Sequence, residues 1–594
     1  MRLILQIICT LISAVALSLA IPSEFITFGS PVIAMISLIP LYFVFTQIKT
    51  YRQSSLLFAL HVFTVHMCSS FWLGDFQEFA IATLFSSAFG TALEGFLTGM
   101  FFFLPFSSEK CKNSLNINSS SKAVCSPAFR ILWFTIVYTA WEWLKSSGFL
   151  AYPWGTVSSA MYNWGIFIQI ADITGRYGVT FLTVLFNCVF AEGLNLIYNI
   201  EKSEAYRIRV FSYSCTAVVA ACLFITSFAY GLYRTHQKRV PVKYLNAIMV
   251  QQNADPWKLT GDNDTILTSI NLTQSKLDEL KNTKKKTDLV IWSEGVLRYG
   301  FPSSYAHYRF YPAENPLVPF IQQTQIPFLI GGPVRDDGKY GQASYNSALL
   351  FDKDGNYRGY YPKNHLVPFA EVIPFMEYPA FSKFMKKTFG LGSGWQAGDQ
   401  YVSFDIPGTK AKKLPKEPVK IISLEQTYEE QKEKEEASPF IRVSVPICYD
   451  DSFPDIMAPL AKNGTEVFIS LTDDSWSKKA SSEYQHFVNA AYLPIEYRIP
   501  MIRSCNSGYS CVINPLGSVI SDMPLFTEYA EYVKVPVYQT QKTVYLLLGN
   551  WLPYCCVVFI LAILFKSIYN LKVEKTFFSE RKFKKSKKSK KSRK

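Results

Sequence analysis

The sequence predicts a bundle of about eight membrane-spanning α-helices joined to a layered α/β domain outside the cytoplasm. Three observations predict it: eight long apolar runs, positive charge confined to alternate loops, and a change of rhythm between residues 240 and 540. The apolar runs cover about residues 3–20, 28–47, 54–74, 79–106, 127–145, 175–200, 211–233 and 545–569. Each is near or above the ~20 residues that cross ~30 Å of hydrocarbon as a helix.

Short loops rich in Lys and Arg stay on the cytoplasmic side. With the N-terminus inside, Lys49 and Arg52 fall inside, as do Lys110, Lys112, Lys122 and Arg130, then Lys202, Arg207 and Arg209. The lysine-rich C-terminus falls inside as well, which leaves the long segment after the seventh run outside. Ser18-Leu19-Ala20 has the small-x-small pattern of a signal-peptide cleavage site. Cleavage there leaves the orientation of everything downstream unchanged.

Of the formal net charge of +14, the stretch from Lys572 to Lys594 carries +10, with 12 Lys or Arg against Glu574 and Glu580. The remainder is nearly balanced. The basic surplus therefore reads as a membrane-facing or topology-fixing tail rather than a nucleic-acid surface. The 12 cysteines show no CxxC spacing and the six histidines no HExxH arrangement, so no metal site or cofactor is expected. Cys505 and Cys511 flank a turn and can bridge in an oxidising compartment if their Cα atoms come within ~7 Å.

Between 240 and 540, short β-rich runs alternate with helix-length stretches. Asn246 to Val250, Asp288 to Trp292, Phe328 to Gly331, Ile441 to Val445 and Glu466 to Leu471 read as strands. Residues 409–439 break the rhythm with many Lys and Glu and read as a solvated insertion. The domains expected are thus 1–237 (seven helices), 238–543 (the α/β domain), 544–571 (the last helix) and 572–594 (the tail).

Three reactive residue types follow β-forming runs: Glu294 in VIWSEG, Lys363 and Glu371 in YYPKNHLVPFAEVIP, and Cys448 in VPICYDDSFPD. Strand exits are where an α/β domain holds chemistry on a rigid frame. Taken singly, such a Cys is more often core packing, and a Glu or Lys more often surface. Together they supply a thiol to attack, a carboxylate to take its proton, and an ammonium to lower the thiol pKa and stabilise an oxyanion.

In this order and context Glu294, Lys363 and Cys448 resemble the nitrilase superfamily. LVPFAEVIP and the stretch GTVSSAMYNWGIFIQIADITGRYGVTFL resemble one branch, the apolipoprotein N-acyltransferases, as do VQQN with Trp257-Lys258, Tyr345-Asn346-Ser347, and Arg503 with Asn506 and Gly508. The resemblance implies an αββα sandwich, with Cys448 as nucleophile, Glu294 as general base and Lys363 as oxyanion cation. Glu371 would orient Lys363 or share proton transfer, and Tyr449 and Asp450 would support the centre. Trp257, Asn346, Phe375, Met376 and Trp395 would meet substrate. Three positions depart from the family strings: Asp450 where Glu is expected, Ala370 in place of Gly, and Ser293 in place of Pro.

The implied reaction is ping-pong. A phospholipid acyl chain passes through a thioester on Cys448 to the α-amino group of a diacylglyceryl-modified lipoprotein, at the outer face of the inner (cytoplasmic) membrane. No nucleic acid takes part, and a monomer is expected. Both substrates keep their chains in the bilayer, so a site near its surface avoids extracting methylenes at ~0.8 kcal/mol each. The aromatic segment after Glu371 (Phe375, Met376, Tyr378, Phe381, Phe384, Met385, Phe389, Trp395) reads as a lipid-facing lid, with Gly390, Gly392, Gly394 and Gly398 as hinges. A membrane-anchored amidase would use the same triad with water as acceptor and leave the lid unexplained. A non-catalytic scaffold would have no use for Cys448.

Overall fold

The computed structural model describes residues 3–76, 80–106, 126–258, 261–283, 285–338, 341–373, 375–376, 378–389, 394–411, 440–567 and 569. Lys110, Lys112, Lys122, residues 412–439 of the charged insertion, Gly390, Gly392 and the lysine-rich tail lie outside them.

A helix falls on each of the eight apolar runs. Four of them, Leu3–Ala20, Ala80–Phe102, Arg176–Tyr198 and Glu204–His236, are long and apolar enough to cross a membrane. The others fall short of that standard for local reasons. The run at 28–47 is split into Pro31–Ser37 and Ile39–Phe45. Pro40 lacks an N–H and its ring would clash with the preceding turn. Asn187 compensates: its Oδ1 accepts from Leu38 N at 3.0 Å and its Nδ2 donates to the Ala34 carbonyl at 3.0 Å. Tyr51–Ser69 and Pro127–Lys145 carry buried His61, His66, Glu142 and Lys145. Trp551–Ser567 is short. Several helices start where a hydroxyl caps them: Ser30, Thr50, Ser126 and Ser203 each accept a hydrogen bond from an N–H of the first turn.

The helical part has an apolar core with polar side chains buried in it, and it exposes apolar side chains outward. On Leu3–Ala20, Gln6, Thr10 and Ser13 are buried while Ile4, Ile8, Ile12 and Leu19 are exposed. That arrangement suits hydrocarbon, where inward polar groups bond one another and outward ones would be orphaned. Tyr42 donates to Glu192, which pairs with Arg130. Glu142 accepts from Val157 N and Thr180 Oγ1, each at 2.7 Å.

The rest is two stacked sheets. The first has the order β13-β1-β2-β3-β4-β5, with β7 beside β1. Its strands are β1 (Lys243–Gln251), β2 (Leu289–Trp292), β3 (Phe328–Gly338), β4 (Gly341–Phe351), β5 (Tyr357–Pro362), β7 (Thr409–Lys410) and β13 (Tyr529–Val537). The second runs β12-β11-β10-β9-β8-β6, from β6 (Ser403–Pro407), β8 (Phe440–Ser444), β9 (Val467–Thr472), β10 (Met501–Cys505), β11 (Cys511–Ile513) and β12 (Val519–Asp522). β1, β2 and β3 are parallel, with helices Asn263–Lys281 and Leu317–Thr324 in the crossovers. β8, β9 and β10 repeat the pattern with Pro454–Lys462 and Ala480–Tyr497.

Alternation along β1 sorts the layers: Leu245, Ala247 and Met249 join the core shared with the second sheet, Ile248 and Val250 the core under the outer helices. The shared core continues into the membrane-type helices without a break. Helix Ala480–Tyr497 is buried along almost its whole length because that helical part covers it. Tyr492 Oη donates to Ser158 O at 2.6 Å, Gln485 Nε2 to Ser69 O at 2.8 Å, and Arg176 N to Glu496 at 3.0 Å.

Candidate active site

Three strand exits converge. Glu294 lies two residues past β2, Lys363 immediately past β5, and Cys448 opens a tight turn, Cys448–Ser452, past β8. Lys363 Nζ lies 3.3 Å from Glu294 Oε1 and 2.9 Å from the Glu371 carboxylate. Asn346, in β4, donates from Nδ2 to Glu294 Oε1 at 2.7 Å and Glu371 Oε1 at 3.0 Å. The second oxygens are held by backbone: Asp473 N to Glu294 Oε2 and Val367 N to Glu371 Oε2, each at 2.8 Å. One ammonium thus sits between two carboxylates whose remaining acceptor positions point at fixed donors. Asn346, expected at substrate, commits its amide protons to the two carboxylates.

Burial sets the electrostatics. It raises the Glu294 carboxyl, with Lys363 acting against it. Burial alone would lower Lys363, yet Glu294 and Glu371 together hold it well above the ordinary lysine value. For Cys448, burial and then the Glu294 charge push the thiol well up, and Lys363 offsets only part. Lys363 does lower the thiol, as the sequence suggests, but burial and the Glu294 charge outweigh it.

Cys448 has φ +48° at the strand exit. A non-glycine residue held in the left-handed region costs of order 1 kcal/mol and persists only where its surroundings enforce it. Asp450 enforces it. Its carboxylate accepts from Ile447 N at 3.1 Å and Tyr361 Oη at 3.0 Å through one oxygen, and from His365 N at 2.7 Å through the other. Fully buried, it ties the cysteine turn to the lysine loop, and burial pushes it up to about 7. Tyr449 is buried too. Its hydroxyl donates to Ala151 O at 2.5 Å, and its ring stacks on Trp154 at 5.4 Å and 10°. Both partners belong to the loop after helix Pro127–Lys145, so the cysteine turn is braced from the helical part.

The remaining expected residues lie on two separate segments. Trp257 donates from Nε1 to Trp476 O at 3.0 Å and meets that ring edge-on. Phe369, Phe375, Tyr378 and Phe384 are exposed, Met376 and Trp395 half-buried. Trp395 N donates to Glu371 O at 3.0 Å. A Cβ on Gly394 would come within 2.0 Å of that same carbonyl oxygen, so this glycine serves close packing and not hinge motion. The side chains of Met385 and Phe389 lie outside the described residues.

Sequence reasoning missed a buried polar chain behind the thiol. Cys448 Sγ, an Asp474 oxygen and a His486 nitrogen lie within 4.8 Å of one another. His486 Nδ1 is 2.6 Å from Asp474 Oδ1 and Nε2 is 2.8 Å from Asp451 Oδ1, and Arg503 pairs with both aspartates. Asp473 and Asp474 follow directly on β9, the same strand-exit signal that picked out the other three. Burial opposes charge on His486, but Asp474 and Asp451 outweigh it and raise the imidazole to about 9. An imidazolium engaged at both nitrogens has no lone pair for a metal.

A folded value raised from 6.5 to about 9 contributes stability that is complete below 6.5 and lost as pH rises through 9. The thermal midpoint is expected to fall over that window, by an amount equivalent to ~3 kcal/mol. His486→Asn is expected to flatten the fall. An unchanged pH profile in the variant would assign the loss to another group.

Cys505 and Cys511 are both free and buried. The strand register pairs Cys511 with Arg503, two residues short of Cys505, which puts the two thiols out of alignment.

A two-sheet domain with a buried Cys, Glu and Lys at its strand exits, braced against apolar helices, defines a carbon–nitrogen hydrolase type of centre built onto a membrane protein. Residues 247–544 match the Carbon-nitrogen hydrolase family, and residues 13–189 match the Apolipoprotein N-acyltransferase N-terminal domain. The chain is 34% identical over 575 residues to Apolipoprotein N-acyltransferase 2 of Treponema denticola, covering 97% of this chain and 98% of that protein. It is 35% identical over 571 residues to Apolipoprotein N-acyltransferase 2 of Treponema pallidum, covering 93% of each. To the Apolipoprotein N-acyltransferase of Borreliella burgdorferi it is 29% identical over 542 residues, covering 91% of each. The chain belongs to the apolipoprotein N-acyltransferase family.

Proposed function

We propose that this protein is the acyltransferase that completes lipoprotein maturation, moving an acyl chain from a phospholipid to a lipoprotein amine through a thioester on Cys448. The observation that carries the reading is the Glu294–Lys363–Glu371 cluster beside a cysteine turn braced by Trp154. Cys448 Sγ attacks the ester carbonyl while Glu294 takes the thiol proton. The oxyanion forms beside Lys363. Collapse breaks the ester C–O bond, the leaving lysophospholipid oxygen takes the proton back from Glu294, and the thioester remains. The α-amine of the diacylglyceryl-cysteine then attacks the thioester. An N-acyl amide forms, the C–S bond breaks, and the amine's proton returns to the sulfur by way of Glu294.

Glu371 and Asn346 hold Lys363 and Glu294 in place. Asp450 and Tyr449 fix the turn. The exposed aromatic residues Phe369, Phe375, Tyr378 and Phe384, with Lys383 and Lys387 on helix Pro379–Phe389, suit a lid resting on the bilayer surface. Trp257, Met376 and Trp395 line its approach. The outward-apolar helices and the positive loops support eight spans, residues 1–237 and 544–571 in the inner membrane, the catalytic domain 238–543 on the outer face, and the tail 572–594 inside. The protein is proposed to act as a monomer.

Incubation with phospholipid is expected to leave an acyl adduct on Cys448, detectable by mass spectrometry and discharged by a diacylglyceryl-cysteine peptide. Discharge at the same rate by water alone, with free fatty acid as product, would mean an amidase-like hydrolase instead. A reporter fused near residue 300 is expected to be extracytoplasmic. A cytoplasmic signal there would overturn the orientation and the lipoprotein reading with it.

A further inference from the structure

A second cationic site lies where the helix Glu204–His236 meets the outer domain. This helix is mostly unburied, with Val218, Ile225, Leu232 and Tyr233 exposed. It docks at Gly231, where a Cβ would come within 1.9 Å of the Ile166 carbonyl oxygen. One turn further on, Arg234 Nη2 reaches Asp172 Oδ2 at 3.0 Å. Arg498 reaches the same oxygen at 2.7 Å and is further satisfied by Gln169 Oε1 at 2.6 Å and Pro515 O at 2.9 Å.

Arg239 is different. Both of its terminal nitrogens are covered and have no hydrogen-bond partner among the described residues, and Arg234 Nε has none either. The Arg239 guanidinium lies on the Tyr538 ring at 4.8 Å. Burial, then Arg498 and Arg234, lower it to about 10, the sign of a cation placed among cations. Asp172 is shared by two of these arginines and leaves the third unanswered. An unpaired buried charge is costly, and a guanidinium fork matches the oxygens of a phosphate in a bidentate pair.

We propose that Arg239, with Arg234 beside it, binds the phosphate of a phospholipid headgroup at the outer boundary of the bilayer, at a site separate from the Cys448 centre. The side chain is half-buried, so rotation about its outer bonds presents the fork to the boundary. The shared chemistry is a phosphate oxyanion. A lipid source follows from the apolar helix that leads to the site, with Tyr233 and Val240 exposed on either side of the arginines. The inference rests on that helix crossing the membrane and not on the acyl-transfer reading.

The test uses the full-length protein stripped of lipid in detergent. Thermal midpoints are recorded with added dioleoyl-phosphatidylglycerol and, separately, with inorganic phosphate. Phosphatidylglycerol is expected to raise the wild-type midpoint by about 3 °C, and Arg239→Gln to abolish the rise. Without lipid, Arg239→Gln is expected to melt no lower than wild type, because it removes an unanswered charge. Arg239→Lys keeps the charge without the fork and is expected to respond in between. An equal rise with inorganic phosphate would support the anion site with a soluble source in place of a lipid. An Arg239→Gln protein that responds to phosphatidylglycerol as the wild type does, or a wild type that responds to neither probe, would overturn the proposal.

Discussion

Cys448→Ser is expected to lower acyl transfer by at least ~10⁴-fold while leaving the thermal midpoint close to that of the wild type. The structure gives a specific reason for the second half of that result. The thiol rests protonated, so serine removes no charge and breaks no ion pair, and the turn at φ +48° stays held by Asp450. Glu294→Gln is expected to be just as inactive but measurably less stable. Both carboxylate oxygens of Glu294 accept, one from Asn346 and Lys363 and the other from Asp473 N. An amide must turn its own N–H groups toward one of these donors, which costs ~1–3 kcal/mol for the group left unsatisfied. The checks are acyl-adduct formation and melting of the two variants side by side. A Glu294→Gln protein that still loaded Cys448 at the wild-type rate would remove Glu294 from the role of base.

Lys363→Met is expected to be the most damaging change in the site for stability as well as for rate. It strips the ammonium from between Glu294 and Glu371, leaving two carboxylates in a space where the lysine itself is almost wholly buried. Removing one partner from a buried ionic cluster typically costs ~3–5 kcal/mol. Loss of an oriented oxyanion donor adds ~10²- to 10³-fold in rate. Adding Glu371→Gln to Lys363→Met should restore part of the stability by removing one of the two like charges, and none of the activity. Stability recovered together with activity would place Lys363 among structural cations and leave the oxyanion to other donors.

The cluster of Glu294, Lys363 and Cys448 was legible because a strand exit leaves a mark in sequence: β-forming residues, then a reactive side chain. The β9 exit carries the same mark in Asp473 and Asp474, and was passed over because no thiol or lysine stood there. Asn346 lies in mid-strand. Its meeting with Glu294 and Glu371 depends on the register of β3 and β4, in which it opposes Pro333, and register is not written locally. Trp154 and Tyr449 are almost 300 positions apart, so their stacking was out of reach of any reading of neighbours. The helices show the same divide. Apolar length located the helices, four of them long and apolar enough to cross a membrane, but the break at Pro40 and its repair by Asn187 depend on a partner about 150 residues away.

The buried helix Ala480–Tyr497 bears on how the protein is made. A ribosome delivers residues 3–236 long before this helix exists, and its partners Ser69, Ser158 and Arg176 all belong to that earlier stretch. The first-made part is therefore the mould on which the second sheet's outer layer is cast, and Ser481 closes the fit by accepting from Glu24 N, a partner 457 positions upstream. Contacts that distant in sequence form late. Glu294, Lys363 and Cys448 stand on the two sheets that this late-closing helix helps to join to the helical part, so their cluster is completed only after that distant fit is made.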